Sequence, residues 1–448
     1  MDSPTDAGNP LIHGLEDRPP AVAAAIAAFQ QVLAMAVGTV TPPLLLAGAL
    51  GFKPEETGRL VSVALLASAL GTFLQVRRRG ILGSGLLSVT GTSFSFVGPL
   101  QEAFKLGGFA LMTTAGLVAA PIQALLAPFL PHLRRVLSPV VTGVVVLLIG
   151  LSLIPTAMFS VGARLGTHPV SVSAGVAALV IAVSVVCQVA GPRWLRLGAI
   201  LAGILAGCAA CVALGAVKSP DTAGLPWIRF PQALPWGFDL RLRSLVPFLF
   251  IYVVSLLEAM GDMTATARLS GVPTHGADFW NRLRGGVLAD SLTSMASGLF
   301  GGLPNTTYAQ NNSVIQVTGV ASRRVGYWMA GFLAVAGLCP VVSAWITVLP
   351  GPVLGGLALM LFGMVAAAGL RLVAASGLDA RSMIVVGVSL GVGLGLAAAT
   401  EVTASFPGVL RSLFESPISG GGVTAILLGL VLPGRAPETP SKSGEPLS

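Results

Sequence analysis

The sequence predicts an all-α membrane protein of about fourteen transmembrane spans, with short extended breaks in the third and the tenth. Three observations carry that prediction. Hydrophobic residues make up 54% of the 448 and charged residues 10%, with a mean hydropathy of +0.85. That balance overrules the two or three soluble domains that length alone suggests. Apolar windows near the ~20-residue spanning length recur from end to end. Two of these windows turn polar or hydroxylated where they should be aliphatic.

In chain order the windows fall near 22–49, 58–76, 81–104, 108–130, 138–155, 171–190, 196–217, 244–267, 284–303, 305–321, 325–348, 353–374, 379–400 and 417–433. The 56 glycines and 31 prolines suit spans that pack closely, bend or break. Residues 1–20 are polar, and the first apolar run is too long for the core of a signal peptide. Residues 434–448 are Pro/Ser-rich and read as a disordered tail.

Basic residues test this register. Arg77–Arg79, His132–Arg135, Arg193, Arg196, Arg268, Arg282, Arg284, Arg323, Arg324, Arg371, Arg381 and Arg435 cluster on one side. Lys53, Lys105, Arg164, Lys218, Arg229, Arg241, Arg243 and Arg411 are spread more thinly on the other. The positive-inside rule then places both termini in the cytoplasm of a multi-pass protein of the cell (inner) membrane. The net charge of +8 sits in these short loop clusters rather than on one face, which argues against a nucleic-acid partner. Cys208 and Cys211 have C-x-x-C spacing inside an apolar run with no second ligand pair, so neither a metal nor a cofactor is expected.

The first break reads Leu87-Ser-Val-Thr-Gly-Thr-Ser-Phe-Ser-Phe96, and the second runs polar from Asn305 to Ser313. An unpaired amide in hydrocarbon costs several kcal/mol, so such backbone survives only where protein covers it or where it lines a cavity. The breaks lie seven spans apart. Seven is odd, so equivalent spans run in opposite directions, as in two inverted seven-span repeats. Each break leaves an extended piece and then a half-helix, starting near Ser93 and near Asn311, whose positive ends converge on one ligand.

Few charges fall within spans. Glu258 and Asp262 share one face of span eight at i and i+4, and Asp290 lies in span nine. A carboxylate at mid-span costs roughly 2.5–3.5 kcal/mol, so three of them need a reason. Two close carboxyls in a poorly solvated place do not both ionise easily, which makes a proton-binding site; the plainer reading is structural hydrogen bonding to a backbone break. Glu401 reads as a boundary residue. His13, His132, His168 and His275 lie in tails or loops and are expected to be solvated, so proton coupling rests on carboxyls.

At this point the motifs resemble a known family. Glu258-Ala-Met-Gly-Asp262, Gly286-Val-Leu-Ala-Asp290 and Gln310-Asn-Asn-Ser-Val-Ile-Gln-Val-Thr-Gly319 are similar to the nucleobase–ascorbate transporters, in their xanthine/uric acid permease branch. Gly91-Thr-Ser-Phe-Ser-Phe96 matches the third-span motif. The resemblance implies a core domain of spans one to four and eight to eleven (21–130 and 244–348). A gate domain of spans five to seven and twelve to fourteen (131–243 and 349–433) would also make a homodimer contact. It implies a secondary transporter for an oxidised purine base, working by an elevator-like shift of the core coupled to protons or Na+.

By the same resemblance, Glu258 accepts ring N–H groups and Gln310 pairs with a ring carbonyl and its neighbouring N–H. The backbone amides of Phe94 and Ala309 complete the contacts, with Ser93, Gln31 and Tyr308 in the substrate set. Asp262, Asp290, Asn311, Ser313 and Thr318 support the site or the coupling, Thr318 as a specificity position. Gln310 and Ser93 favour uric acid and xanthine without choosing between them. Two residues depart from the pattern. Gln30–Gln31 stands where the family has Gln–His, which removes a titrating group, and Ser313 stands for a glycine. Competing readings are a uracil or other nucleobase permease, an anion exchanger or channel on a similar scaffold, and an intramembrane aspartyl protease using Asp262 and Asp290.

Overall fold

A computed structural model describes residues 11–432 except 137, 193, 194, 197, 218, 221, 376 and 378. Residues 1–10 and 434–448 of the expected tails, and Arg193, Lys218 and Arg435 of the charge pattern, lie outside the described residues.

Helix α1 (Ala21–Leu50) stops at Gly51, whose left-handed φ of 70° lets the chain turn, and α2 (Pro54–Val76) follows at once. Pro54 opens α2 where its missing N–H costs nothing, and Glu56 reaches back to the Lys53 N–H at 2.8 Å. Next come strand β1 (Thr90–Thr92), a single 3-10 turn (Phe94–Phe96) and α3 (Val97–Ala119). Two short helices, α4 (Pro121–Leu126) and α5 (Leu130–Val136), lead to α6 (Pro139–Val161), α7 (Val170–Ala190) and α8 (Ala199–Ala213). The middle of the chain supplies α9 (Leu242–Leu269), α10 (Gly276–Leu299), β2 (Asn305–Thr307), α11 (Gln310–Thr318), α12 (Arg323–Leu338) and α13 (Pro340–Thr347). The rest is α14 (Gly351–Ala375), α15 (Ala380–Ala398), α16 (Thr400–Ala404), α17 (Gly408–Phe414) and α18 (Pro417–Val431).

Among the described residues eight helices are long and apolar enough to cross a bilayer, or nine if the bent pair α12–α13 counts as one. Windows 196–217 and 417–433 hold apolar helices of 15 residues, shorter than a full span. Window 325–348, expected as one crossing, bends by 79° between Leu338 and Pro340. The reason is local: a residue before proline is pushed out of the helical region, and Cys339 sits at φ −95°, ψ 102°. Between windows three and four, α3 loses helical geometry at Gly107 and Gly108.

Two groups of helices result. Helices α1, α2, α3, α9, α10 and α12 pack around the two-stranded sheet, while α6, α7, α8, α14, α15 and α18 pack on one another. The α6–α14 seam depends on small residues. A side chain at Gly150 would put its Cβ 2.5 Å from the Ala366 backbone nitrogen, so only glycine permits this approach. Residues 12–17 lie against the end of α11. The Ile12 and His13 N–H groups donate to Gly319 O at 2.8 and 3.1 Å, and Ala321 N–H donates to His13 O at 2.9 Å. His13 is therefore half-buried in a seam rather than free in a tail.

Candidate functional site: two broken segments beside three carboxylates

The centre of the first helix group is the antiparallel pair β1–β2, with Thr90 opposite Thr307, Gly91 opposite Thr306 and Thr92 opposite Asn305. All six residues are buried, so their backbone groups must find partners within the protein. The pairing is extended by Tyr308 N–H to Val89 O at 2.9 Å and Ser93 N–H to Pro304 O at 3.0 Å. The Ser68 hydroxyl donates to Thr90 O. Each strand then turns directly into a helical segment, the 3-10 turn at Phe94 and α11 at Gln310.

Helix α9 packs against β2, α11 and the Phe94–Phe96 turn, which sets Glu258 beside both breaks. The Ser95 hydroxyl donates to Glu258 Oε2 at 3.3 Å. One turn on, the Asp262 carbonyl accepts from Asn312 Nδ2 at 3.4 Å, and the Thr266 hydroxyl donates to Asn312 Oδ1 at 2.7 Å. These contacts fix the register of α9 against α11. Asp290, fully buried on α10, accepts from Gln75 Nε2 at 2.9 Å, while its Oδ2 has no partner. Glu258, Asp262 and Asp290 are close enough to repel one another when charged.

The remaining expected site residues divide by placement. Gln310 is half-buried and its carboxamide forms no hydrogen bond among the described residues, and Ala309 next to it is exposed. Phe94 is buried, with its ring edge-on to Phe362 of α14 at 5.5 Å, so it touches the second helix group. Asn311 donates to Leu87 O at 2.5 Å and ties the start of α11 to the stretch before β1. The Tyr308 hydroxyl is already engaged, donating to Thr92 O at 2.8 Å. Ser93 is buried with its hydroxyl unpartnered, whereas Ser313 is exposed. Gln31 is fully buried on α1, and neither its Nε2 nor its Oε1 has a partner. Thr318 lies about 12 Å further along α11 than Gln310, capping its end through Val314 O and Val320 N–H. It does not join the cluster.

Five participants escaped the sequence reading: Ser95, Gln75, Asn312, Thr266 and Phe362. A carboxamide at the end of an apolar run was the only sequence signal for Gln75, and Ser95 and Asn312 lay inside the quoted motifs.

Comparison with known proteins decides the family. Residues 22–402 match the model of a family described as the Permease family. The chain belongs to it. Xanthine permease XanQ of Escherichia coli is 42% identical over 96% of this chain and 95% of its own length, and xanthine permease XanP of the same organism is 37% identical over 94% and 95%. A purine permease of Emericella nidulans is 30% identical over 94% of this chain and 83% of its own. The relatives are permeases, not enzymes, and the protease reading falls with that. Among solved structures, the transmembrane domain of the cyanobacterial bicarbonate transporter BicA superposes with a TM-score of 0.57 at 14% identity, covering 93% of this chain and 99% of that one. Murine Solute Carrier 26 family member A9, an anion transporter in the inward-facing state, gives 0.60 at 11% identity over 93% and 69%. At such identities the likeness concerns the fold, and it supports an arrangement of core and gate.

Proposed function

We propose that this permease carries an oxidised purine base, xanthine or uric acid, and that Glu258 and Gln310 read the ring. The observation that supports the reading is the β1–β2 pairing, with a hydroxyl-supported carboxylate on the helix packed against β2 and an unpaired carboxamide at the start of the helix that follows β2. An oxopurine alternates N–H and C=O groups around a flat ring. Glu258 supplies an acceptor for ring N–H groups, and Gln310 supplies a donor and an acceptor for a carbonyl and its neighbour. The amides at Phe94 and Ala309 and the Phe94 ring line the same space. Buried polar groups of this kind reject ligands that leave them unpaired. The names of the 37–42% identical relatives support xanthine as a substrate.

The finer architecture belongs to the same proposal: fourteen spans in two inverted repeats, cytoplasmic termini, an inner-membrane homodimer, and a core (21–130, 244–348) sliding against a gate (131–243, 349–433). Phe94 against Phe362 is then a sliding contact between the two. Glu258, Asp262 and Asp290 hold the coupled proton, because neighbouring carboxyls share a charge more easily than each keeps its own. Gln31 and Ser313 adjust affinity rather than chemistry.

The test is uptake of labelled xanthine, uric acid and uracil, each competed by the others, in wild type and Glu258→Gln. Replacing a charged acceptor removes about 1.5–3 kcal/mol, so uptake affinity should fall roughly ten- to hundredfold. Equal uptake by both proteins, or carriage of uracil alone, defeats the reading.

A further inference from the structure

At the end of the fold where α2 begins and α10 finishes, opposite the seam between residues 12–17 and 319–323, lies a cavity of about 1070 Å³. Neither Glu258 nor Gln310 lines it. Its walls come from both helix groups: Glu55 and Arg59 on α2 and the turns of α13 on one side, Arg164 and Leu165 after α6 on the other. Arg229, Phe230 and Trp236, in the stretch before α9, close it.

Among the described residues, charge in this cavity is unbalanced. Arg59 pairs with Glu55 at 2.9 Å and stands over the Trp236 ring at 5.8 Å. Arg164 and Arg229 enter no ion pair among the described residues. The aromatic floor is held in place: Trp236 stacks on Phe109 at 4.4 Å and donates through Nε1 to Gly301 O at 3.2 Å. Arg229 is fixed by its backbone N–H, which donates to Leu338 O at 2.9 Å. Two guanidinium groups without an ion pair among the described residues, lining one cavity, match a ligand that carries negative charge, since arginine pairs with planar anions.

We propose that this cavity is an outer capture site for purine anions, in which Arg164 and Arg229 concentrate the charged base before it reaches Glu258 and Gln310. The proposal rests on the permease reading. A cationic cleft with low-dielectric walls raises the local concentration of an anion, and the gain fades as salt screens it. Arg164 comes from one helix group, and Arg229 is anchored to the end of α12 in the other. The site therefore spans the cleft between the two groups.

The experiment compares wild type with the Arg164→Gln/Arg229→Gln double variant. It measures initial uptake of uric acid or xanthine, whichever the wild type carries, at a pH where that base is anionic and at low and high ionic strength. Capture predicts a KM roughly three- to tenfold higher in the variant at low salt, with Vmax unchanged and the difference gone at high salt. An unchanged KM with an unchanged salt dependence overturns the capture site while leaving the permease reading intact. A fall in Vmax equal at both salt concentrations also overturns it, since that would be a structural role. A wild type that carries neither base sinks the permease reading and the capture site together.

Discussion

The two broken segments share a strand pairing but not a chemistry. The first, after β1, turns inward on apolar neighbours: Phe96 packs on Tyr252 at 4.5 Å and on Phe248 at 6.0 Å, and Phe94 meets Phe362. The second, after β2, carries Gln310, Asn311, Asn312 and Ser313, with Ala309 and Ser313 exposed. One break is a wall with a single hydroxyl aimed at Glu258; the other is a polar surface with a carboxamide to spare. On the proposed reading, the base lies between a hydrophobic support from one segment and a hydrogen-bonding edge from the other. Within the second segment neighbours also divide the work, since Asn311 is spent on Leu87 O while Gln310 is not.

That division gives the largest expected effect. Asn311→Ala leaves the Leu87 carbonyl unpaired in a buried place, at about 1–3 kcal/mol, and should lower the melting temperature of the purified protein. Gln310→Ala should leave the melting temperature alone yet abolish most of the thermal shift that xanthine or uric acid produces in wild type, because losing a ligand contact weakens binding without removing any contact of the empty protein. If both variants lose stability equally, Gln310 is framework and the polar surface is not a reader.

The pairing of the breaks is tested next by Gly91→Ala. A Cβ there would lie 2.6 Å from the Tyr308 ring and from Thr39 Oγ1. Overpacking of this order costs about 1–3 kcal/mol, so reduced stability with a weakened ligand shift is expected. An unaltered protein would mean that the strands separate freely and do not set the distance between wall and reader.

How much of this was legible beforehand follows from the physics of each element. The breaks were visible because polar residues interrupt apolar runs, and the i, i+4 carboxylates because helical spacing is regular. The choice between Ser93 and Ser95 was not. Both are serines in one motif, and only the 3-10 turn at Phe94–Phe96 decides which hydroxyl faces α9. Gln75 sits two residues before Arg77 and reads as the polar end of a span, although its side chain bridges Asp290 and Gly286 O. Tyr308 stands in the polar run of the second break, and nothing in that run announces that its hydroxyl donates to Thr92 O across the sheet. Phe362 lies 268 positions from Phe94, and nothing local announces that the rings meet.

A smaller effect is expected at Gln31, on the helix that runs alongside β1. Two buried amide atoms without partners are a cost to the empty protein. Gln31→Leu should therefore raise the melting temperature without ligand, while shrinking the ligand-induced shift if the amide serves the base. Gln31→His, which restores the family residue, should alter affinity or its pH dependence. A stabilised Gln31→Leu protein with a full ligand shift would make the position a bystander.

The smallest effect concerns the tie between the two halves outside the membrane-spanning segments. Asp278, in the first turn of α10, the helix that leads to the second break, accepts from Arg78, just ahead of the first, at 2.5 Å and from Arg282 at 2.9 Å. The hydrogen bonds from Arg78 and Arg282 hold its carboxyl down to about 2. A carboxyl depressed in the folded state contributes stability above its unfolded value near ~3.9, and that contribution disappears as pH falls through about 2. Between pH 5 and 8 it is constant, so this pair contributes nothing to any pH dependence of uptake there. The side chain is 64% exposed, and solvent screening limits the pair to less than about 1 kcal/mol. Asp278→Asn should change the melting temperature slightly, by the same amount across that range, and leave transport unaltered. A large loss of uptake with normal stability would instead show that the relative position of the two breaks is set by this tie at the start of α10, and not by the strand pairing between them.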